Sequence, residues 1–170
     1  MNQSLNWLNE LSTADAETEF LKCCGSKRWA DAMTAARPFY TVDELLVKAG
    51  SVWWSLNDSD WLEAFRAHPK IGEQKAATLQ SAEAQEWSAQ EQSGVAHGSR
   101  QTISEIAQKN REYEEKFGFI FIVCATGKSS DEILAIINER MSNDPQTELR
   151  IAAEEQNRIT RLRFEKLLNQ

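Results

Sequence analysis

Phe119-Ile120-Phe121-Ile122-Val123-Cys124-Ala125 is the stretch on which the fold class turns. Its first five residues are all aromatic or β-branched, the types enriched in strands. A strand needs a partner, because a lone one leaves its amides and carbonyls unpaired. No second convincing run of this kind occurs in the 170 residues. The stretch therefore reads as one buried extended segment, or a helix start, in an otherwise all-α compact bundle. Its main-chain groups would be open to a ligand.

Outward from this segment the signals are helical. Just upstream, Ile103, Ile106, Ala107, Asn110, Tyr113 and Phe117 form one stripe of a helix over 99–117, with Gly118 positioned to end it. Downstream, Ser130 is placed to cap a helix over 131–141 with an acidic first turn, as the helix dipole favours. Asp144-Pro145 then opens a last helix reaching about Leu168, with proline at its first position. Nearer the N-terminus, Thr41 and Glu44 have capping-box spacing and start a helix at Val42, with Leu45, Leu46, Ala49, Val52 and Trp53 inward. Asn57-Asp58-Ser59 stops the chain and restarts it before Trp61, Leu62 and Phe65. Pro69 ends that helix, since proline disfavours helical backbone in the residue before it.

No repeat, low-complexity tract or linker interrupts the chain, so one domain over 1–170 is expected. Apolar residues at 41% and charged residues at 26% suit a soluble globular protein. The formal charge of −7 argues against nucleic acid and anionic membranes as partners, because both require basic patches. One or two arginines in a pocket can still reverse the sign locally for an anionic substrate. Cys23, Cys24 and Cys124 give no disulfide framework and fit a reducing compartment. The polar start carries no signal peptide, no apolar run approaches the roughly 20 residues of a membrane span, and the end lacks a peroxisomal Ser-Lys-Leu. The expected location is the cytoplasm.

Few residues are equipped for chemistry. There are two histidines. His97 lies in a Gly-flanked loop and reads as neutral. His68, in Ala67-His-Pro-Lys-Ile-Gly72, is either a histidine interacting with a helix C-terminus or a general acid or base. In Trp87-Ser-Ala-Gln-Glu-Gln-Ser93, helical spacing puts Ser88, Glu91 and Gln92 on one face, which is either solvated or a polar site wall. Arg163 falls on the apolar stripe of the last helix with Ile159 and Leu167. Burying its charge unpaired is costly, so it must find an anion or several acceptors, and an internal carboxylate and a substrate anion are both open readings. Cys124 is either a packed core thiol or a ligand contact. The histidine and cysteine spacings provide no metal site.

Four blocks in order, His68-Pro-Lys-Ile-Gly72, Ser88-x-x-Glu91-Gln92-Ser93-Gly94, Tyr113-Glu-Glu-Lys-Phe-Gly-Phe-Ile-Phe121 and Leu162-Arg163, resemble the 2-oxo-4-hydroxy-4-carboxy-5-ureidoimidazoline (OHCU) decarboxylases. The similarity runs from Arg37-Pro-Phe39 to the final helix. Phe164 stands where the family's Leu-Arg-Leu ending has its second leucine. The resemblance implies an all-α, typically homodimeric enzyme that uses neither metal nor organic cofactor and acts on a ureidoimidazoline. It implies His68 as the catalytic proton donor, Glu91 beside it orienting the ring, and Arg163 as a charge-neutralising partner. Pro69, the helix face of Ser88, Ala89, Gln90, Glu91 and Gln92, and the main chain of Phe121, Ile122, Val123, Cys124 and Ala125 are implied to hold substrate. A helical module that has lost its chemistry, or an amidohydrolase or isomerase of another ureido compound, are the competing readings.

Overall fold

A computed structural model describes residues 3–72 and 81–169. Ten helices and no strand occur among them. Residues 120–125 belong to no helix, strand or turn, 121–125 are buried, and the alternate residues Phe121, Val123 and Ala125 enter the core as in an extended chain. The all-α reading with one extended segment therefore holds. By contact density the chain forms two compact units, Met1–Ala64 with Asn157–Gln170, and Phe65–Gln156.

The first unit contains α1 (Gln3–Glu10), α2 (Thr13–Cys23), α3 (Lys27–Ala35), α4 (Val42–Ser55), most of α5 (Asp58–Arg66) and the end of α10 (Pro145–Leu168). Serine and threonine begin several of these helices. Ser12, Ser26 and Thr41 each accept a backbone N–H in the first turn, satisfying a donor that the helix itself cannot. The Thr41 cap falls where its spacing predicts, although the Glu44 carboxylate reaches back to the amide of Tyr40 at 2.8 Å. Leu45, Ala49, Val52 and Trp53 turn inward as expected, and Leu46 is half-buried. Phe20 is the hub of the core, meeting Trp29, Phe39 and Phe164 edge-on with ring centres 6.0, 6.5 and 6.1 Å away. The indole N–H groups of Trp29 and Trp61 donate to the carbonyls of Ala49 and Trp53, so neither is buried without an acceptor.

The second unit contains α6 (Ala82–Glu91), α7 (Ser93–Ala96), α8 (Arg100–Phe117), α9 (Ser130–Arg140) and the start of α10. Gly118 ends α8 with φ +79°, a left-handed conformation that glycine adopts without a Cβ penalty. The chain bends at Phe119 and runs through 120–125 without helix or strand before α9. The cap of α9 is Ser129 and not Ser130, as the sequence reading had it. Ser129 and Glu132 form a reciprocal capping box, and Ser130 is buried as the first helical residue. Two serines in succession made the choice ambiguous, and the glutamate three residues on decides it. The core of this unit packs Ile106 and Tyr113 of α8 and Ile133 and Ile137 of α9 around Phe121, Val123 and Ala125.

Candidate active site

The extended segment is held by side chains, since no neighbouring strand takes its backbone groups. Arg140 donates to the Ile122 carbonyl at 2.7 Å. The Glu155 carboxylate accepts the Cys124 amide N–H at 2.7 Å, and Lys128 Nζ donates to the Cys124 carbonyl at 2.7 Å. Phe121, Val123 and Ala125 belong to the apolar core, as the alternation of an extended chain requires. Ile122 and Cys124 lie outside that cluster although both are buried.

Arg140 itself is fixed by a buried network. Its guanidinium meets Glu148 Oε1 through Nε at 2.7 Å, and Glu148 also accepts the Tyr113 hydroxyl and Asn143 Nδ2. The Arg140 guanidinium lies 4.6 Å from the centre of the Phe121 ring. A buried carboxylate is tolerable here because a cation and two neutral donors share it. Burial pushes the Tyr113 hydroxyl well above the usual phenol range, Arg140 opposing, so it remains a donor.

His68 lies just beyond α5, its amide donating to the Phe65 carbonyl at 3.1 Å, and it is half-buried. Proline at the next position stops the helix here, as read from sequence. The ring is held by Gln156 of α10, whose Oε1 is 2.6 Å from Nε2. After Pro69 the loop is fastened twice: Asn110 Nδ2 donates to the Ile71 carbonyl at 2.7 Å, and the Gly72 amide donates to Gln92 Oε1 at 3.2 Å. Gly72 turns with φ +81°.

On α6, Ser88 and Glu91 are buried and Gln92 is half-buried at the helix end, so the face picked out by spacing is an inward one. Ser88 donates to the Ala84 carbonyl at 3.0 Å. Ala89 and Gln90 are exposed. The charges of Lys128, Glu155 and, most weakly, Glu91 all bear on the Cys124 thiol. Burial is the main reason that the Cys124 thiol is raised above its ordinary value, with Lys128 pulling the other way. Arg163 belongs to the first unit, where it is 2% exposed and donates to the Lys22 carbonyl at 3.1 Å. His97 is exposed at the end of α7. Among the described residues, no three His, Cys, Asp or Glu side chains converge as metal ligands would.

The sequence reading missed Gln156, Glu155, Lys128, Arg140 and Glu148. A signal existed for two of them. Glu155 and Gln156 stand three and four residues beyond the buried Ala152, so they are polar residues on an inward stripe. Lys128, in an exposed-looking turn, gave none.

Comparisons with known proteins agree with this architecture. A family model described as OHCU decarboxylase matches residues 9–165. A uric acid degradation bifunctional protein of Arabidopsis thaliana is 40% identical over 154 residues, covering 90% of this chain. The chain spans only 47% of that protein, and 32% of a bifunctional relative from a Bacillus species. An OHCU decarboxylase of Haloferax volcanii is 31% identical over 163 residues, with 95% of this chain and 92% of that one covered. Among solved structures, an OHCU decarboxylase crystallised in the presence of (S)-allantoin is 38% identical and superposes with a TM-score of 0.78, over 90% of this chain and 99% of the other. With a family match across most of its length and that structural correspondence, the chain belongs to the OHCU decarboxylase family.

Proposed function

We propose that this chain decarboxylates OHCU stereoselectively to (S)-allantoin, in uric acid degradation, with His68 as the proton-transfer residue. The observation that carries the reading is the 38% identity to an OHCU decarboxylase, 99% of whose chain is covered. The chemistry needs little from the protein. One ring carbon of the substrate bears both a hydroxyl and a carboxylate, and its neighbour is an imine carbon bearing the ureido group. When the carbon–carboxylate bond breaks, the electron pair forms a carbon–carbon double bond, and the imine nitrogen takes up the displaced charge and a proton. The resulting enol then loses its hydroxyl proton to become a carbonyl, while the ureido-bearing carbon gains a proton on one face. The substrate is its own electron sink, a role that other decarboxylases assign to a cofactor.

His68 delivers the proton to carbon or relays the one from oxygen, with Glu91 orienting it as the resemblance implies. Ser88, Gln92 and the main chain of 121–125 hold the ring, Pro69 lines the site, and Arg163 offsets anionic charge. The Arg163 role rests on the Leu162-Arg163 match alone. We place the enzyme in the cytoplasm, on the grounds of its cysteine usage, and, as the resemblance implies, as a homodimer with 1–170 as its catalytic domain. No described helix is long and apolar enough to cross a membrane.

The test couples urate oxidation to the protein and follows optical rotation, because the substrate decays on its own to racemic allantoin. Wild type should give optically active product faster than the spontaneous rate. His68→Ala and His68→Asn should lose that acceleration, by the roughly 10²–10⁴-fold that general acid–base catalysis supplies, with unchanged circular dichroism. Full activity in both variants removes His68 from the mechanism.

A further inference from the structure

We propose that Gln156 is a positioning residue that holds His68 in the tautomer with its proton on Nε2, so that proton exchange with substrate occurs at Nδ1. This rests on the reading of His68 as the proton-transfer residue. Gln156 Oε1 lies 2.6 Å from His68 Nε2. A carboxamide oxygen has lone pairs and no proton, so the ring nitrogen facing it must be the donor. The neutral ring then carries its lone pair on Nδ1, and protonation adds the second proton there.

A glutamine suits this task better than a carboxylate. Gln156 is wholly buried, so water does not compete for the contact. The carboxamide is neutral at any pH, and it sets the direction of the ring without clamping the imidazolium as an anion would. Its neighbour Glu155 accepts the Cys124 amide N–H at 2.7 Å. Consecutive helical residues project about 100° apart. One turn of α10 thereby orients both the imidazole and the extended segment, fixing the proton source relative to the backbone proposed to hold the ring. Stereoselectivity requires that relation, because a ring free to flip would present either nitrogen.

Histidine labelled with ¹⁵N gives a direct test. There are only two histidines, and replacing the exposed one, His97→Asn, leaves the His68 signals alone in the spectrum. In the neutral state of the ring, Nε2 should carry the proton and Nδ1 should show the shift of an unprotonated nitrogen. Gln156→Glu keeps an acceptor and should keep that tautomer. Gln156→Met removes the acceptor and should give a tautomer mixture, with kcat lower by about tenfold or more, part of the 10²–10⁴ supplied by general acid–base catalysis, and KM little changed. A wild-type ring protonated on Nδ1 overturns the inference, whether or not any variant folds. So does Gln156→Met with tautomer and kcat both intact. The spectrum is read without turnover, so an active His68→Asn enzyme would remove the catalytic role of His68 and leave this tautomer pattern in place.

Discussion

Replacing Arg140 by methionine tests whether the extended segment depends on the buried network behind it. Arg140 is 6% exposed, and Glu148, its partner, is wholly buried. Truncating the cation leaves the Glu148 carboxylate with only the Tyr113 hydroxyl and Asn143 Nδ2 as donors, and the Ile122 carbonyl loses its 2.7 Å donor. Breaking a buried ion pair by removing one partner costs about 3–5 kcal/mol, and an unsatisfied buried carbonyl about 1–3 kcal/mol. The two losses share one residue and do not add fully. With two neutral donors remaining, the expected loss is about 4 kcal/mol, a large part of the ~5–15 kcal/mol that stabilises a domain. In Arg140→Met/Glu148→Met no uncompensated charge is left. The Ile122 carbonyl, the Tyr113 hydroxyl and the part-buried Asn143 Nδ2 lose partners, all of them neutral, so the double variant should fall short of wild type by about 1–3 kcal/mol. Urea unfolding measures both, with stability read from the midpoint at unchanged slope. A single variant losing less than about 1 kcal/mol, or a double variant no more stable than the single, would refute the reasoning.

Two further expectations concern the packing. A methyl at Gly94 would lie 2.3 Å from the Lys128 carbonyl oxygen, whereas one at Gly118 meets nothing within 4 Å and is strained only by its φ of +79°. Gly94→Ala should therefore cost about 3 kcal/mol and Gly118→Ala about 1 kcal/mol, and thermal midpoints in the opposite order would contradict the close approach of α7 to the backbone of Lys128 and Ser129. Cys24 is raised by burial from 9.0 to about 12. Its folded value exceeds its unfolded one, so its contribution is complete below pH 9.0 and lost as pH rises from there to about 12, as the unfolded thiol ionises. The fall in urea midpoint over that window should be shallower in Cys24→Ala, and equal slopes would show that the thiol is not involved.

The helices were legible because their punctuation is local. Thr41 caps where its hydroxyl can reach an amide three residues on, Pro69 halts the chain after His68, and Gly118 takes the left-handed turn that other residues resist. The extended segment could be inferred from a missing partner. What replaces the partner could not, because Arg140 and Glu155 reach it from helices later in the chain, no local pattern pairs a carboxylate at 155 with an amide at 124, and Lys128, though only four residues from Cys124, lies in a loop without a periodic signal. The same distance hid the contact that holds His68, 88 residues from Gln156. Spacing along α6 put Ser88 and Glu91 on one face, which helical periodicity alone determines, and left open whether that face is solvated; both residues are buried. The ambiguity at Ser129-Ser130 was one of register, where two adjacent hydroxyls compete for one cap.

The alternation along 121–125 also restricts how this sequence can drift. Paired strands can absorb an inserted residue as a bulge, with the neighbouring ladder re-forming on either side. This segment has no ladder. Its frame is set by three side-chain anchors from fixed positions and by Phe121, Val123 and Ala125 in the core. Adding or removing one residue would exchange the two parities, turning core side chains outward and carrying the anchored amide and carbonyls off their partners. Point changes that respect parity are open to relatives of this chain, whereas its length is constrained more strictly than its composition.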